Sequence, residues 1–148
     1  LDGGKEGIIV EGGHDLHGIE IDCGDTPDAV PALAVLGCYA QGKMKLYNIA
    51  ASRMKETDRS KTIAQELRKM GAHIDEEEDS LTIYHSPLHG ATIDGHNDHR
   101  IVMATTCAAL GAEGPSFIDS VDHVGVSFPR FYEEMKGIGA DIIRLAEK

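Results

Sequence analysis

Charged side chains gather at three points where predicted strands pass into predicted helices. The three clusters are Thr26-Pro27-Asp28, Lys55-Glu56-Thr57-Asp58-Arg59 and Asn97-Asp98-His99-Arg100. The start of a helix attracts anions because its first backbone N–H groups are free and its dipole is positive there. Lysine and arginine at the same points strengthen that attraction, and arginine suits bidentate binding of a carboxylate or phosphate. The clusters therefore predict a local positive patch that binds a small anion.

A structural role is the alternative for each cluster taken singly. Asp28, Asp58 and Asp98 are typical helix N-caps. Glu56 and Arg59, three residues apart, are typical of a surface salt bridge with little energetic value. The repetition favours a ligand site, because the transition from strand to helix is where α/β proteins usually bind ligands.

Composition excludes several classes of function. The 148 residues carry 14 Lys and Arg against 25 Asp and Glu, a net charge of −11. This balance opposes binding of nucleic acid or of an anionic membrane surface. No apolar run approaches the roughly 20 residues of a membrane-spanning helix. The widely spaced Cys23, Cys38 and Cys107 predict reduced thiols and a cytoplasmic location rather than disulfides.

Histidine pairs and an acidic run raise the alternative of a metal site. The pairs are His14 with His17, His96 with His99, and His85 with His89. Zinc sites need better-ordered ligand sets, and the acidic run 76–79 lacks the ligand spacing of a calcium loop. We therefore expect no metal, and we expect the acidic run to be a solvated turn.

Strands and helices are predicted to alternate around the clusters. Apolar periodicity predicts strands over 19–22, 43–49, 72–75, 81–85, 91–94, 116–118 and 141–145. Helices are predicted over 29–41, 58–70, 98–110 and 127–137, with Asp58 or Thr57 as the cap of the second. The fold class is α/β, with a β-hairpin formed by 72–75 and 81–85.

The predicted elements recur along the chain. Asp28 and Asp98 lie 70 residues apart, and the similar segments 66–74 (ELRKMGAHI) and 134–142 (EMKGIGADI) lie 68 apart. A fixed period indicates a repeated unit. We predict a β-α-β-α-β-β unit over about 14–90 and most of a second over 91–148. One helix of each unit is apolar all round, so these helices must pack on each other or on a further unit, and exposed apolar surface is expected.

Two motifs in order resemble a known family. KETDR (55–59) precedes an ELRKMGA helix end (66–72), and NDHR (97–100) opens an apolar helix. Asp28 lies 28 residues before Glu56, and SFPRFYEEM (127–135) adds a later Phe-Pro turn. Over residues 19–145 the sequence resembles the 3-phosphoshikimate 1-carboxyvinyltransferase (EPSP synthase) family of enolpyruvyl transferases.

The resemblance implies a fold and a reaction. The family's fold, an α-β prism, has two globular domains of three β-α-β-α-β-β units each, with the active site in the cleft between them. This chain would be the C-terminal portion, inactive alone because the N-terminal portion of the enzyme is missing. The reaction joins phosphoenolpyruvate to the 5-hydroxyl of shikimate 3-phosphate and releases phosphate. No metal or organic cofactor takes part.

The resemblance also implies roles for two carboxylates. Asp28 would accept a proton and hold the shikimate ring, and Glu56 would donate a proton to the enolpyruvyl methylene. Acid and base must be separate groups, because one proton arrives while another leaves. Lys55 and Arg59 flank Glu56 and favour its ionised form, so a proton donor at this position needs burial.

Substrate binding is implied for three cations. Lys55 would contact the shikimate phosphate or the reacting centre, and Arg59 and Arg100 would bind phosphoenolpyruvate, with His99 and Asp98 as supporting neighbours.

Two positions depart from the family pattern. Val126 stands where a lysine usually reaches phosphoenolpyruvate, and Ala51 stands where an asparagine often touches shikimate 3-phosphate. Two alternatives therefore stay open. One is a non-catalytic anion-binding or interaction domain on the same scaffold, and the other is a related enolpyruvyl transferase with a different acceptor.

Overall fold

A computed structural model describes Gly7, Ile9 and residues 11–145. The strands are β1 (Glu20–Asp22), β2 (Lys43–Tyr47), β3 (Ile74–Glu76), β4 (Ser80–Tyr84), β5 (Thr92–Ile93) and β6 (Phe117–Ile118). The α-helices are α1 (Val30–Tyr39), α2 (Arg59–Lys69), α3 (His99–Gly111) and α4 (Phe131–Gly137). Short 3-10 helices cover Pro27–Ala29, Ala50–Met54 and Val121–Val126.

The strands form two sheets. The first has the order β1-β2-β4-β3, in which β1 and β2 are parallel and β4 runs antiparallel to both of its neighbours. The second is the parallel pair β5 and β6. Parallel neighbours need a crossover connection, which α1 supplies between β1 and β2 and α3 supplies between β5 and β6. The predicted hairpin is confirmed as β3 and β4.

The backbone confirms the repeat and corrects its alignment. Isolated parallel bridges join His17 to Gln41 and His89 to Glu113, two pairs related by 72 residues. Left-handed backbone recurs at the same interval, at Asn48 and Ser120. At this interval Asp28 corresponds to Arg100, so the predicted equivalence of Asp28 and Asp98 is wrong.

Side-chain caps begin two of the helices. The Asp58 carboxylate accepts a hydrogen bond from the Lys61 N–H at 3.0 Å, and that of Asp98 accepts one from the Arg100 N–H at 2.9 Å. Asp28 is not a cap: it lies inside the 3-10 helix that precedes α1, and its carboxylate points to side chains of other elements.

The apolar helices pack against each other. The α1 helix lies on β2 and β4 and contacts both α2 and α3, so the two units share one core. The Tyr39 hydroxyl of α1 donates a hydrogen bond to the Ala108 carbonyl of α3 at 2.6 Å. The expected exposed apolar surface is also present, with large apolar side chains exposed at Ile19, Leu36, Met54, Leu110, Phe117, Phe128, Ile138 and Ile143.

Two predictions for the last part of the chain are wrong. The final helix begins at Phe131 rather than at residue 127, because Val121–Val126 forms a 3-10 helix ahead of the Phe-Pro turn. The expected strand 141–145 does not form. Its counterpart β3 takes its backbone hydrogen bonds from β4, and no described strand lies beside 141–145 to do the same.

None of the helices found among the described residues has both the length and the apolarity to cross a membrane.

Gly90, in the connection between the two repeats, lies where two backbone segments pack closely together. A Cβ at Gly90 would lie 2.1 Å from the Pro115 carbonyl oxygen, and the equivalent Gly18 shows the same conflict with Lys43. Backbone atoms cannot rotate away, so Gly90→Ala should lower the free energy of unfolding by about 1–3 kcal/mol, the usual cost of overpacking. Urea denaturation of the full-length protein measures it. A Cβ at Gly125 meets nothing within 4 Å, and equal stabilities of Gly90→Ala and Gly125→Ala would contradict the packing.

Candidate active site

The three charged clusters lie together at the carboxyl ends of parallel strands. Asp28 follows β1, the 55–59 segment follows β2, and Asp98 and Arg100 follow β5. Because β1 and β2 are parallel and α1 packs on α3, these ends meet at one edge of the fold. Clefts outside the carboxyl ends of parallel strands are the usual ligand sites of α/β proteins.

The centre of the site is the guanidinium of Arg59, the first residue of α2. Its side chain is only 1% exposed. Nε contacts an Asp98 oxygen at 2.8 Å, Nη1 contacts Asp28 at 2.9 Å, and Nη2 contacts Glu56 at 2.5 Å. The buried charge is therefore compensated by three carboxylates from three different segments, as a buried ion must be.

Asp28 is the second branching point of the network. Besides Arg59, its carboxylate contacts Lys55 Nζ at 3.1 Å and Arg100 Nη2 at 3.4 Å. One carboxylate from the first repeat thus meets cations from both repeats. Its ion pair with Lys55 holds the pKa of Asp28 below its usual range, and Arg100 and Arg59 act in the same direction against partial burial.

Asp98 is the buried carboxylate of the site, with a side chain that is fully shielded from solvent. Oδ2 accepts hydrogen bonds from Arg59 and from the Thr57 hydroxyl at 3.1 Å, and Oδ1 accepts from the Arg100 N–H. Burial on its own raises the pKa of Asp98, but these hydrogen bonds outweigh it and the pKa is lowered. Asp98 therefore stays ionised and fixes two arginines.

The charges of this network are balanced, which corrects the expected positive patch. Three carboxylates (Asp28, Glu56 and Asp98) face three cations (Lys55, Arg59 and Arg100). Among the described residues, an anion would therefore bind by taking the place of a carboxylate, except at the Nε of Arg100, which has no partner. The half-exposed Glu56 and Asp28 are the ones that solvent and ligands can reach, at 50% and 44% side-chain exposure.

Lys55 and Arg100 are the cations that face the surface, with side chains about one third exposed. The Nε of Arg100 is buried and has no hydrogen-bond partner among the residues that the structure describes. A buried donor without a partner is costly, so this N–H marks a place where a ligand oxygen would be stabilised. Each of the three guanidinium nitrogens of Arg59, in contrast, contacts a carboxylate.

The remaining predicted positions have plainer surroundings. His99 is buried at the first turn of α3. Val126 ends a 3-10 helix and is 76% exposed, and Ala51 lies within the 3-10 helix that leads to Lys55. Glu56 is half-exposed rather than buried.

Two residues hold the site through contacts that the sequence does not predict, and Thr57 is not the cap of α2. Thr57 binds Asp98, as described above. Arg53 contacts Asp58 at 3.1 Å and Glu76 at 3.0 Å, and it donates to the carbonyls of Glu77 and Glu78. It thereby ties the cap of α2 to the β3–β4 turn. The only signal for either was its position in or just before the KETDR motif.

No group of three His, Cys, Asp or Glu side chains within the described part of the chain is arranged to hold a metal ion.

Comparisons with known proteins agree with one another. The family model described as EPSP synthase (3-phosphoshikimate 1-carboxyvinyltransferase) matches residues 1–135. The 3-phosphoshikimate 1-carboxyvinyltransferase of Methanocella arvoryzae is 49% identical over 135 residues, which cover 91% of this chain and 32% of that protein. The enzyme of that name from Methanocaldococcus jannaschii is 48% identical over 139 residues, which cover 93% and 32%.

A solved structure gives the same result for the fold. The EPSP synthase of Acinetobacter baumannii superposes with a TM-score of 0.78 at 34% sequence identity, over 85% of this chain and 31% of that one. The expected α/β fold of this family is therefore confirmed. The chain spans about a third of the length of the curated relatives that it matches.

Acid should destabilise the protein through the aspartates of the network. The pKa values of Asp28 and Asp98 are lowered by folding. Their contribution is therefore complete above the ordinary aspartate pKa of about 3.9 and is lost as the pH falls below it. We expect Asp98→Asn to lower the free energy of unfolding at pH 7 and to weaken its fall between about pH 4 and pH 2. Chemical denaturation at a series of pH values measures both.

Asp25→Asn is the control for this experiment, since Asp25 is exposed and makes no ion pair with any described residue. An Asp98→Asn variant with the pH dependence of the unmodified protein would contradict the ionised state of Asp98.

Proposed function

The chain belongs to the EPSP synthase (3-phosphoshikimate 1-carboxyvinyltransferase) family, and we propose that it forms part of an enzyme with that activity. The enzyme transfers the enolpyruvyl group of phosphoenolpyruvate to the 5-hydroxyl of shikimate 3-phosphate and releases phosphate. The observation that carries this proposal is the convergence of Asp28 and Glu56 with Lys55, Arg59 and Arg100 at one edge of the fold.

We propose that this chain carries only a part of the active site, because it spans only part of the length of its relatives. The relatives are about three times as long, so the proposal includes a further portion of the enzyme that closes the cleft. In this proposal residues 14–90 and 91–148 are two repeat units of the C-terminal part of one globular domain. The enzyme acts in the cytoplasm, where its three thiols stay reduced.

Anion binding begins at the cations that a ligand can reach. Lys55 and Arg100 lie at the surface of the network, and the Arg100 Nε still lacks a partner. Their ion pairs with Asp28 are partly exposed, and exposed pairs are weak. A phosphate or carboxylate that takes Lys55 or Arg100 therefore removes part of the positive charge around Asp28, which stays oriented by Arg59 and can accept the proton of the shikimate hydroxyl.

Binding also prepares Glu56 as an acid. Glu56 contacts Arg59 Nη2 at 2.5 Å, so it is one of the three carboxylates that compensate this cation. An oxygen of phosphoenolpyruvate that takes the place of Glu56 on Arg59 would supply the negative charge that the buried guanidinium needs. Glu56 could then hold a proton, and closure of the cleft would add the burial that this chain lacks.

The proposed chemistry balances its protons between these two groups. The 5-oxygen of shikimate 3-phosphate attacks the enol carbon as its proton passes to Asp28, while Glu56 protonates the methylene. The C–O bond to phosphate then breaks, the leaving phosphate takes the proton from Asp28, and the new methyl group returns a proton to Glu56. The fixed cations stabilise negative charge on the reacting phosphate, which is the largest effect that such a site offers.

A non-catalytic anion-binding domain is the second candidate. Val126 is the observation in its favour, because the position carries no cation and its side chain lies in solvent. Binding of phosphoenolpyruvate or shikimate 3-phosphate by the full-length protein without any release of phosphate would support this candidate over the enzyme.

Glu56→Gln in the full-length protein tests the enzyme. Glutamine keeps the shape but cannot donate a carboxylic proton, so kcat should fall by about 10²–10⁴-fold, as expected for general acid catalysis. Michaelis constants should change far less. Phosphate release from the two substrates, followed continuously, measures both constants.

The matched control is Glu134→Gln. Glu134 is as exposed as Glu56, at 51% of its side chain, but it pairs with the exposed Arg130 at 2.9 Å and with no residue of the network, so kcat should stay unchanged. Equal kcat values for Glu56→Gln and the unmodified enzyme would remove Glu56 from its role. The 148-residue chain alone should show no turnover.

A further inference from the structure

The loop that carries Asp98 and Arg100 into the site has a costly backbone. It joins β5 to α3, and its residues His96 and Asn97 have φ values of 51° and 53°. Two successive non-glycine residues in the left-handed region cost free energy and persist only where neighbouring groups hold them. The position of the loop therefore depends on contacts from other elements.

Glu66 of α2 makes those contacts from inside the protein. It is 2% exposed, although glutamate is seldom buried. Its Oε2 accepts a hydrogen bond from the Asp94 N–H at 3.0 Å, and its Oε1 lies 3.0 Å from His96 Nε2. Lys69 Nζ contacts the same carboxylate at 2.6 Å. Hydrogen bonds from these groups outweigh the effect of burial, so the pKa of Glu66 is lowered and the carboxylate is ionised.

The same helix holds the loop at a second point. Arg59 lies seven residues before Glu66, two helical turns away on the same face of α2. Arg59 binds Asp98 at the end of the loop, and Glu66 binds Asp94 and His96 at its beginning. The whole loop is therefore fixed to α2 by one positive and one negative side chain.

On its other side the loop contacts Asp119, which blocks a shift in that direction. The Asp119 carboxylate accepts a hydrogen bond from the Gly95 N–H at 2.7 Å. A Cβ at Gly95 would lie 2.5 Å from the Asp119 carbonyl oxygen, so the backbone already passes as close as glycine allows. Loss of the Glu66 contacts would remove the support that α2 gives to the left-handed residues, while the Asp119 contact on the other side would stay.

We propose that Glu66 is a positioning residue that sets the place of Asp98 and Arg100 in the active site through the β5–α3 loop. The inference rests on the proposed function. A buried charge is an expensive way to fill a core position, and an apolar side chain of similar size usually serves stability as well or better. The loop that this carboxylate holds explains why a charged group stands at a core position.

Glu66→Leu and Glu66→Gln in the full-length enzyme test this inference. Leucine has a similar volume but accepts no hydrogen bond, so the loop shifts and kcat should fall by about 10²-fold, the usual effect of a displacement near 1 Å. Glutamine keeps an acceptor for the Asp94 N–H and a polar partner for His96, so it should restore most of kcat.

Ile63→Val separates positioning from stability. Ile63 is a fully buried residue of α2. Its truncation leaves a small cavity and lowers stability, but it removes none of the hydrogen bonds that hold the loop. It should lower the melting temperature and leave kcat of the folded enzyme unchanged. A Glu66→Leu variant that does the same, with a lower melting temperature but normal kcat, would overturn the inference.

Amide hydrogen exchange keeps the inference separate from the proposed function. Glu66→Leu should speed exchange at residues 94–100 relative to Ile63→Val, whether or not the protein turns over these substrates. Absence of turnover in the unmodified protein would sink the proposed function alone, and unchanged exchange would sink the inference alone. If Glu66→Leu does not fold, His96→Leu replaces it in the test. The His96 side chain is 30% exposed, and its removal takes away one of the Glu66 contacts, so exchange at residues 94–100 should rise.

Discussion

A buried guanidinium dominates the organisation of this protein. Arg59 is removed from water, and an ion in that position is stable only with opposite charges and hydrogen bonds on every side. The three carboxylates that satisfy it come from the end of β1, the segment after β2 and the end of β5. The two repeats must therefore meet where their parallel strands end, and the place where they meet is the candidate active site.

Apolar packing brings these strand ends into register. The α1 and α3 helices are nearly uniform in apolar character and bury their surfaces against each other, with one core running through both units. That burial supplies most of the driving force but has little directionality. The charged network, together with the Glu66 contacts to the β5–α3 loop, adds the directional constraints that hold acidic and basic groups within hydrogen-bond distance.

Much of this arrangement can be predicted from the sequence, because local signals determine it. Apolar periodicity gives the α/β class and most elements, the caps Asp58 and Asp98 follow from residue type, and the KETDR and NDHR motifs give the family. What fails depends on tertiary partners. Asp28 has the position of a cap but binds three cations instead, and 141–145 has the pattern of a strand without a neighbour. The pairing that makes the network neutral is invisible in sequence, because no local pattern states which charges meet.

A double-mutant cycle on Arg59 and Asp98 tests the central role of the buried pair most directly. Arg59→Met and Asp98→Asn, alone and combined, are compared by their free energies of unfolding in the full-length protein. Arg59→Met leaves the buried Asp98 without its cation, and Asp98→Asn leaves Arg59 without the only one of its three carboxylates that is fully buried. We expect losses of about 3–5 kcal/mol with a coupling energy of about 2 kcal/mol or more. Additive losses would contradict the account, because they would show that the guanidinium and the carboxylate do not depend on each other.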